Sequence, residues 1–182
     1  MSKIEIVHES VVFQETDAIV NAANVTLLGG GGVDGAIHDA AGPELYRYFH
    51  DLGCMCQPGE AIESPGFNLP TRHIIHTVGP IWHGGKFNEP EILIACYRNC
   101  LDEAASHGCK SIAFCCISTG VYGYPLEPAT RIALSTVAKW LQEHETDMRV
   151  RFCCYSPMEF EAYRKVACEL KIRYSSPDLA EL

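Results

Sequence analysis

Short apolar runs alternate along the chain with stretches whose apolar residues recur at helical spacing. Runs rich in Val, Ile, Phe or Cys at residues 3–8, 17–22, 60–64, 73–78, 111–117 and 149–155 predict β-strands. Helices are predicted near residues 33–50, 89–107, 126–144 and 157–170. In the third, Leu126, Ala129, Ile132, Ala133, Val137, Trp140 and Leu141 share one face, and in the fourth Phe160, Tyr163, Ala167 and Leu170 do. Such alternation predicts an α/β fold, a mostly parallel sheet covered by helices on both faces. No linker-like stretch divides the chain, so one domain is expected over residues 1–182. Its core would span about residues 3–170, with a short loose tail after Ile172.

Two glycine-rich turns fall between a strand-like run and a predicted helix. The first follows Ile19-Val20-Asn21-Ala22-Ala23-Asn24 and runs from Leu28 through Gly29, Gly30, Gly31 and Gly32 to Val33-Asp34-Gly35. The second follows Ile112 to Ile117 and reads Ser118-Thr119-Gly120-Val121-Tyr122-Gly123. Unpaired amides at a helix N-terminus, aided by the helix dipole, form an anion site. Both turns would lie at the carboxyl ends of strands, where such folds bind ligands. Two of them in one short chain point to a ligand with a diphosphate held between them. A P-loop is excluded because no Gly-Lys-Ser/Thr occurs, and the dinucleotide fingerprint is matched only in part.

Charge sharpens this picture. The chain has 182 residues, is 47% hydrophobic and 20% charged, and carries a formal charge of −9. That composition is globular, and the negative balance argues against binding a nucleic-acid backbone, which needs clustered Lys and Arg. An anionic ligand must instead be held by local amides against the field of the whole protein. Hydrogen bonds to charged groups contribute about 1.5–3 kcal/mol each against an association cost of about 4–15 kcal/mol. A further stacking or apolar contact is therefore required. No run of about 18 apolar residues predicts a membrane span, and the N-terminus lacks the apolar core of a signal peptide.

Ten cysteines raise the question of zinc or disulfides. None is spaced CxxC. Cys96 and Cys100 share a helical stripe with Leu93, Tyr97, Leu101 and Ala104, while Cys115-Cys116 and Cys153-Cys154 sit in strand-like runs. They read as small buried hydrophobes in a reducing cytoplasm. His38, His73 and His76 are read as structural histidines, so no metal is expected.

With these motifs on the page, the chain resembles the macrodomain family, in particular its bacterial MacroD-type ADP-ribosyl hydrolases. Asp17 to Asn24, Leu28 to Gly35, His76-Thr77-Val78-Gly79-Pro80 and Ile117 to Pro125 match successive family motifs in order, within a resemblance from about residue 3 to 170. The resemblance implies a three-layer α/β/α fold with a mixed, mostly parallel sheet. It implies a monomer that binds ADP-ribose, free or on a modified protein. It also implies removal of mono-ADP-ribose from acidic side chains, or of acetyl from O-acetyl-ADP-ribose, without cofactor or metal. The rival is a non-catalytic ADP-ribose reader, and a third possibility is a phosphatase acting on a terminal phosphate.

By the same resemblance Asn24 and Asp34 are the catalytic pair. Asn24 would orient the distal ribose, and Asp34 would polarise a water, directly or through the diphosphate. Their bland alternatives are a turn-capping Asn and a carboxylate that favours the helix dipole. Gly30, Gly31, Gly32 and Val33, with Ser118, Thr119, Gly120, Val121 and Tyr122, would surround the diphosphate. Ser10, Val11, Ala22 and Tyr155 complete the expected ligand contacts. Tyr155 would stack on adenine unless it is ordinary core packing. Two departures stand out: Ser10 occupies the position of the family's adenine-reading Asp, and Ser156 that of the Asp after the last strand's aromatic. Asp39 is five residues beyond Asp34 and is expected to point elsewhere.

Overall fold

The computed structural model describes residues 2–177. Six strands, β1 (Ile4–Val7), β2 (Ala18–Ala22), β3 (Ala61–Pro65), β4 (His73–Thr77), β5 (Ser111–Phe114) and β6 (Arg149–Cys153), form one sheet in the order β1-β6-β5-β2-β4-β3. All neighbouring pairs are parallel except β3 with β4. The five helices are α1 (Gly32–Ala41), α2 (Pro43–Leu52), α3 (Glu89–Ser106), α4 (Leu126–Glu143) and α5 (Pro157–Glu169).

Register assigns the helices to the two faces. Asn21 lies beside His76 in the β2–β4 pair, and α1 and α2 reach this face through Asp34 and Phe49. Ile19 pairs with Ala113, which sets Phe114 beside Val20 and therefore on the opposite face. There Tyr97 of α3 packs on Phe114 at a ring separation of 5.0 Å, and Tyr163 of α5 on Phe152 at 5.2 Å. Between α3 and α5 lies α4, whose buried Trp140 donates its indole N–H to Asp102 of α3 at 2.7 Å. The result is a three-layer α/β/α fold around the apolar centre of the sheet.

Three sequence expectations need correction. The helix expected over residues 33–50 is two helices. Gly42 takes φ 90°, ψ 176°, and Pro43 begins the second helix, because proline disfavours helical geometry in the residue before it. The strand expected to reach residue 117 ends at Phe114, so Cys115 to Ile117 leave the ladder. The tail expected to be loose instead pairs with β1: Ser175 N–H donates to Ile4 O, and Ile6 N–H to Ser175 O, both at 3.0 Å. Asp178 lies outside the described residues.

Gly42→Ala tests the helix break. Its Cβ would stand 2.7 Å from Asn68 Nδ2 in a backbone conformation that L-residues rarely adopt. The variant is expected to lose about 1–3 kcal/mol of stability in urea unfolding with an unchanged slope.

Candidate functional site

At the carboxyl ends of β2, β5 and β6 opens a cleft of about 580 Å³. All fifteen residues expected at the site line it: Asn24 and Asp34, the two loops, and Ser10, Val11, Ala22 and Tyr155. Residues the sequence reading did not single out for it are Glu9, Ala23, Ala36, Cys115, Cys116, Cys153 and Glu159.

The glycine loop is fastened by Asn24. Its Nδ2 donates to Gly29 O at 2.9 Å, and its Oδ1 accepts from the Thr26 hydroxyl at 2.8 Å. The turn-capping role is thus present, while the same amide still borders the cleft. Gly29 and Gly32 take φ of 95° and 59°, which explains glycine at these two positions. Gly31 then caps α1 with no side-chain hydrogen bond. The first-turn amides are left for a ligand, beside the positive end of the helix.

Asp34 lies in that first turn, yet it is only 5% exposed. Asn21 Nδ2 donates to its Oδ1 at 2.8 Å. The same nitrogen stands 3.1 Å from His76 Nδ1, and His76 Nε2 stands 2.8 Å from Ser64 Oγ. The Ser64 hydroxyl donates to Pro65 O at 3.2 Å. Burial, with the nearby His38, lowers the pKa of His76 to about 3, so its ring is neutral. An uncharged ring that accepts at Nδ1 must carry its proton on Nε2, which orients the chain in one direction. Asn21, His76 and Ser64 were not expected at the site. Only the Asn in the strand motif hinted at them, because contacts across four elements leave no local sequence pattern.

Burial raises the Asp34 pKa above the ordinary carboxylate range, opposed by the Asn21 hydrogen bond and by His38. His38 Nε2 is 3.5 Å from Asp34 Oδ1 without hydrogen-bond geometry. His38, one turn along α1, therefore belongs to the surroundings of Asp34.

The second loop departs from expectation. It is no helix N-terminus, since Gly123, Tyr124 and Pro125 separate it from α4. Gly123 N–H donates to Gly120 O at 3.0 Å, and Tyr124 N–H to Ser118 O at 2.9 Å. Among the described residues, the N–H groups of Thr119, Gly120, Val121 and Tyr122 have no backbone acceptor. The loop therefore offers bare amides without a helix dipole. Ser118 takes a positive φ of 66°, and its buried hydroxyl lacks a partner among the described residues. A neighbouring segment supports the loop: Trp82 N–H donates to Tyr122 O at 2.8 Å, and the Trp82 ring meets Tyr124.

The outer end of the cleft mixes apolar and acidic groups. Ser10 caps the 3-10 turn Val11–Phe13, accepting from Val12 N–H at 3.3 Å. Glu9 lies beside it in the lining, so a carboxylate is present one residue from the position where this chain replaces the family's Asp with Ser10. Tyr155 is 82% exposed, which excludes core packing. Ser156 caps α5 in a reciprocal arrangement with Glu159. Cys115 and Cys153 form part of the floor, and burial pushes the Cys115 thiol up to about 12, so it stays protonated and apolar in character.

Fold and cleft together define a three-layer α/β protein with converging backbone amides at the strand ends. The chain belongs to the macrodomain family: the model of the Macro domain matches residues 20–133. A macro domain-containing protein of Chlorobaculum tepidum is 54% identical over 149 residues, covering 82% of this chain and 86% of the relative. An O-acetyl-ADP-ribose deacetylase of Cronobacter sakazakii is 44% identical over 167 residues, covering 90% and 93%. The structure of a Trypanosoma brucei macrodomain in complex with ADP-ribose aligns with a TM-score of 0.84 and 47% identity, covering 90% of this chain and 68% of that one. Among the described residues, no helix is long and apolar enough to cross a membrane.

The raised Asp34 pKa has a testable sign. Ionising this carboxylate opposes folding in full above its folded pKa, and the penalty declines as pH falls from that value to the ordinary, unfolded one. Asp34→Asn is therefore expected to melt at the same or a higher temperature than wild type near pH 7.5. The difference should shrink toward pH 4 in thermal scans.

Proposed function

We propose that this chain binds ADP-ribose in the cleft and hydrolyses an ester at its distal ribose. The substrates are O-acetyl-ADP-ribose and mono-ADP-ribose on acidic side chains. The observation that carries this reading is Asp34, buried, held by Asn21, and adjacent to the bare amides of the glycine loop. The deacetylase and ADP-ribose-bound relatives support it.

In this reading the diphosphate lies between Gly30 to Val33 and Ser118 to Tyr122. Amides there meet its charge without the Lys and Arg that an acidic chain lacks at this cleft. The distal ribose reaches Asn24 and Asp34. Asp34, ionised, accepts a proton from water, and its raised pKa makes it a stronger base than a solvated carboxylate. On a side-chain ester the water oxygen bonds the anomeric carbon, and the carboxylate leaves with the electrons of the broken C–O bond. On the acetyl ester water adds to the acyl carbon, and acetate and ADP-ribose separate. Adenine occupies the outer end, stacked on Tyr155.

Asp34→Ala is expected to slow release of label from a mono-ADP-ribosylated protein by about 10²–10⁴. Its affinity for ADP-ribose should change only several-fold in calorimetry. A variant as fast as wild type removes Asp34 from the chemistry, and a wild type that binds without turnover makes the protein a reader. Tyr155→Ala should weaken ADP-ribose binding by about 1–3 kcal/mol while leaving ribose 5-phosphate binding unchanged. Equal losses for both ligands would remove the stacking role.

A further inference from the structure

At the opposite end of β4 from the cleft loops, Glu63 of β3, His73 of β4 and His107 after α3 bring one ligand atom each within 4.8 Å of one another. His73 Nδ1 is 2.6 Å from Glu63 Oε1, and His107 Nε2 is 3.9 Å from Glu63 Oε2. The two imidazole centroids are 5.3 Å apart. Glu103, one turn before His107 on α3, places Oε1 3.3 Å from the same His107 nitrogen.

We propose that Glu63, His73 and His107 bind one divalent cation of the zinc class, with water in the fourth position. Bonds of about 2.0–2.1 Å in a tetrahedron set donor atoms about 3.4 Å apart. The three donor atoms lie within 4.8 Å of one another, so an ion would draw them inward and open the 2.6 Å contact between His73 and Glu63 to that tetrahedral separation. Two imidazoles and one carboxylate plus water form a donor set that zinc-class ions accept.

Backbone pairing prepares the site. Pro65 opposite His73 and Glu63 opposite Ile75 make Glu63 and His73 diagonal neighbours on one face of the β3–β4 pair. The carboxyl-terminal end of α3 packs over that face and delivers His107. The side chains of Glu63 and His73 are 15% and 23% exposed, sheltered enough to be ordered and open enough to be loaded from solvent. An ion here would clip the antiparallel edge strand to α3. It would be structural, since the reacting end of the cleft lies at the other end of the strands.

Cobalt(II) titration of the chelator-treated full chain tests this. One equivalent should give visible bands of four-coordinate cobalt without thiolate-to-cobalt charge transfer, and zinc should raise Tm by roughly 5 °C. His107→Ala and His73→Ala should each weaken binding by at least ~10–100-fold. His107 is exposed, so its variant carries the test if His73→Ala fails to fold. Absence of binding, thiolate bands that place the metal on cysteine, or unchanged affinity in His107→Ala would each overturn the proposal. Loss of ADP-ribose hydrolysis plays no part in these readouts.

Discussion

Asn21 Nδ2 donates to Asp34 Oδ1 at 2.8 Å and ties the first turn of α1 to the middle of the sheet. Through His76 and Ser64 the same hydrogen-bonded line crosses β2, β4 and β3. A carboxylate buried without such partners would protonate or turn outward. Held here, it stays fixed beside the glycine loop at a raised pKa. The hydrogen bond fixes the position, and burial sets the raised pKa that this bond in part offsets.

Around this point the protein handles negative charge without positive side chains. The whole chain carries −9, and the cleft lining contains no Lys or Arg. Its donors are peptide N–H groups left unpaired by two different geometries: a helix start and an irregular turn. Such groups are fixed by the fold and carry no counter-charge, so they discriminate by geometry more than by long-range attraction. Asn24 and Trp82 hold the two loops, and thereby set the spacing between the two sets of amides.

The outer end follows a different rule. Ser10 Oγ accepts a local capping bond from Val12 N–H, and Glu9 supplies the neighbouring carboxylate. The exposed ring of Tyr155 offers a flat apolar contact that amides alone do not provide. In the proposed reading, phosphate recognition rests on backbone amides, whereas the base end depends on side chains and is where the family pattern is altered.

Periodicity alone identified the alternating strands and helices, because each amphipathic segment declares which side it must bury. The glycine runs and the Asn-Ala-Ala-Asn stretch likewise placed both loops, since close backbone approach and positive φ restrict the residues that can serve. The break at Gly42, the strand end at Phe114 and the pairing of Ser175 with β1 depended on neighbours far away in sequence. So did the burial of Asp34 and its link to His76, and the meeting of His73 with His107. Local sequence records backbone preference and amphipathicity. Which polar side chains meet inside the fold is settled only when sheet register and helix packing bring distant segments together.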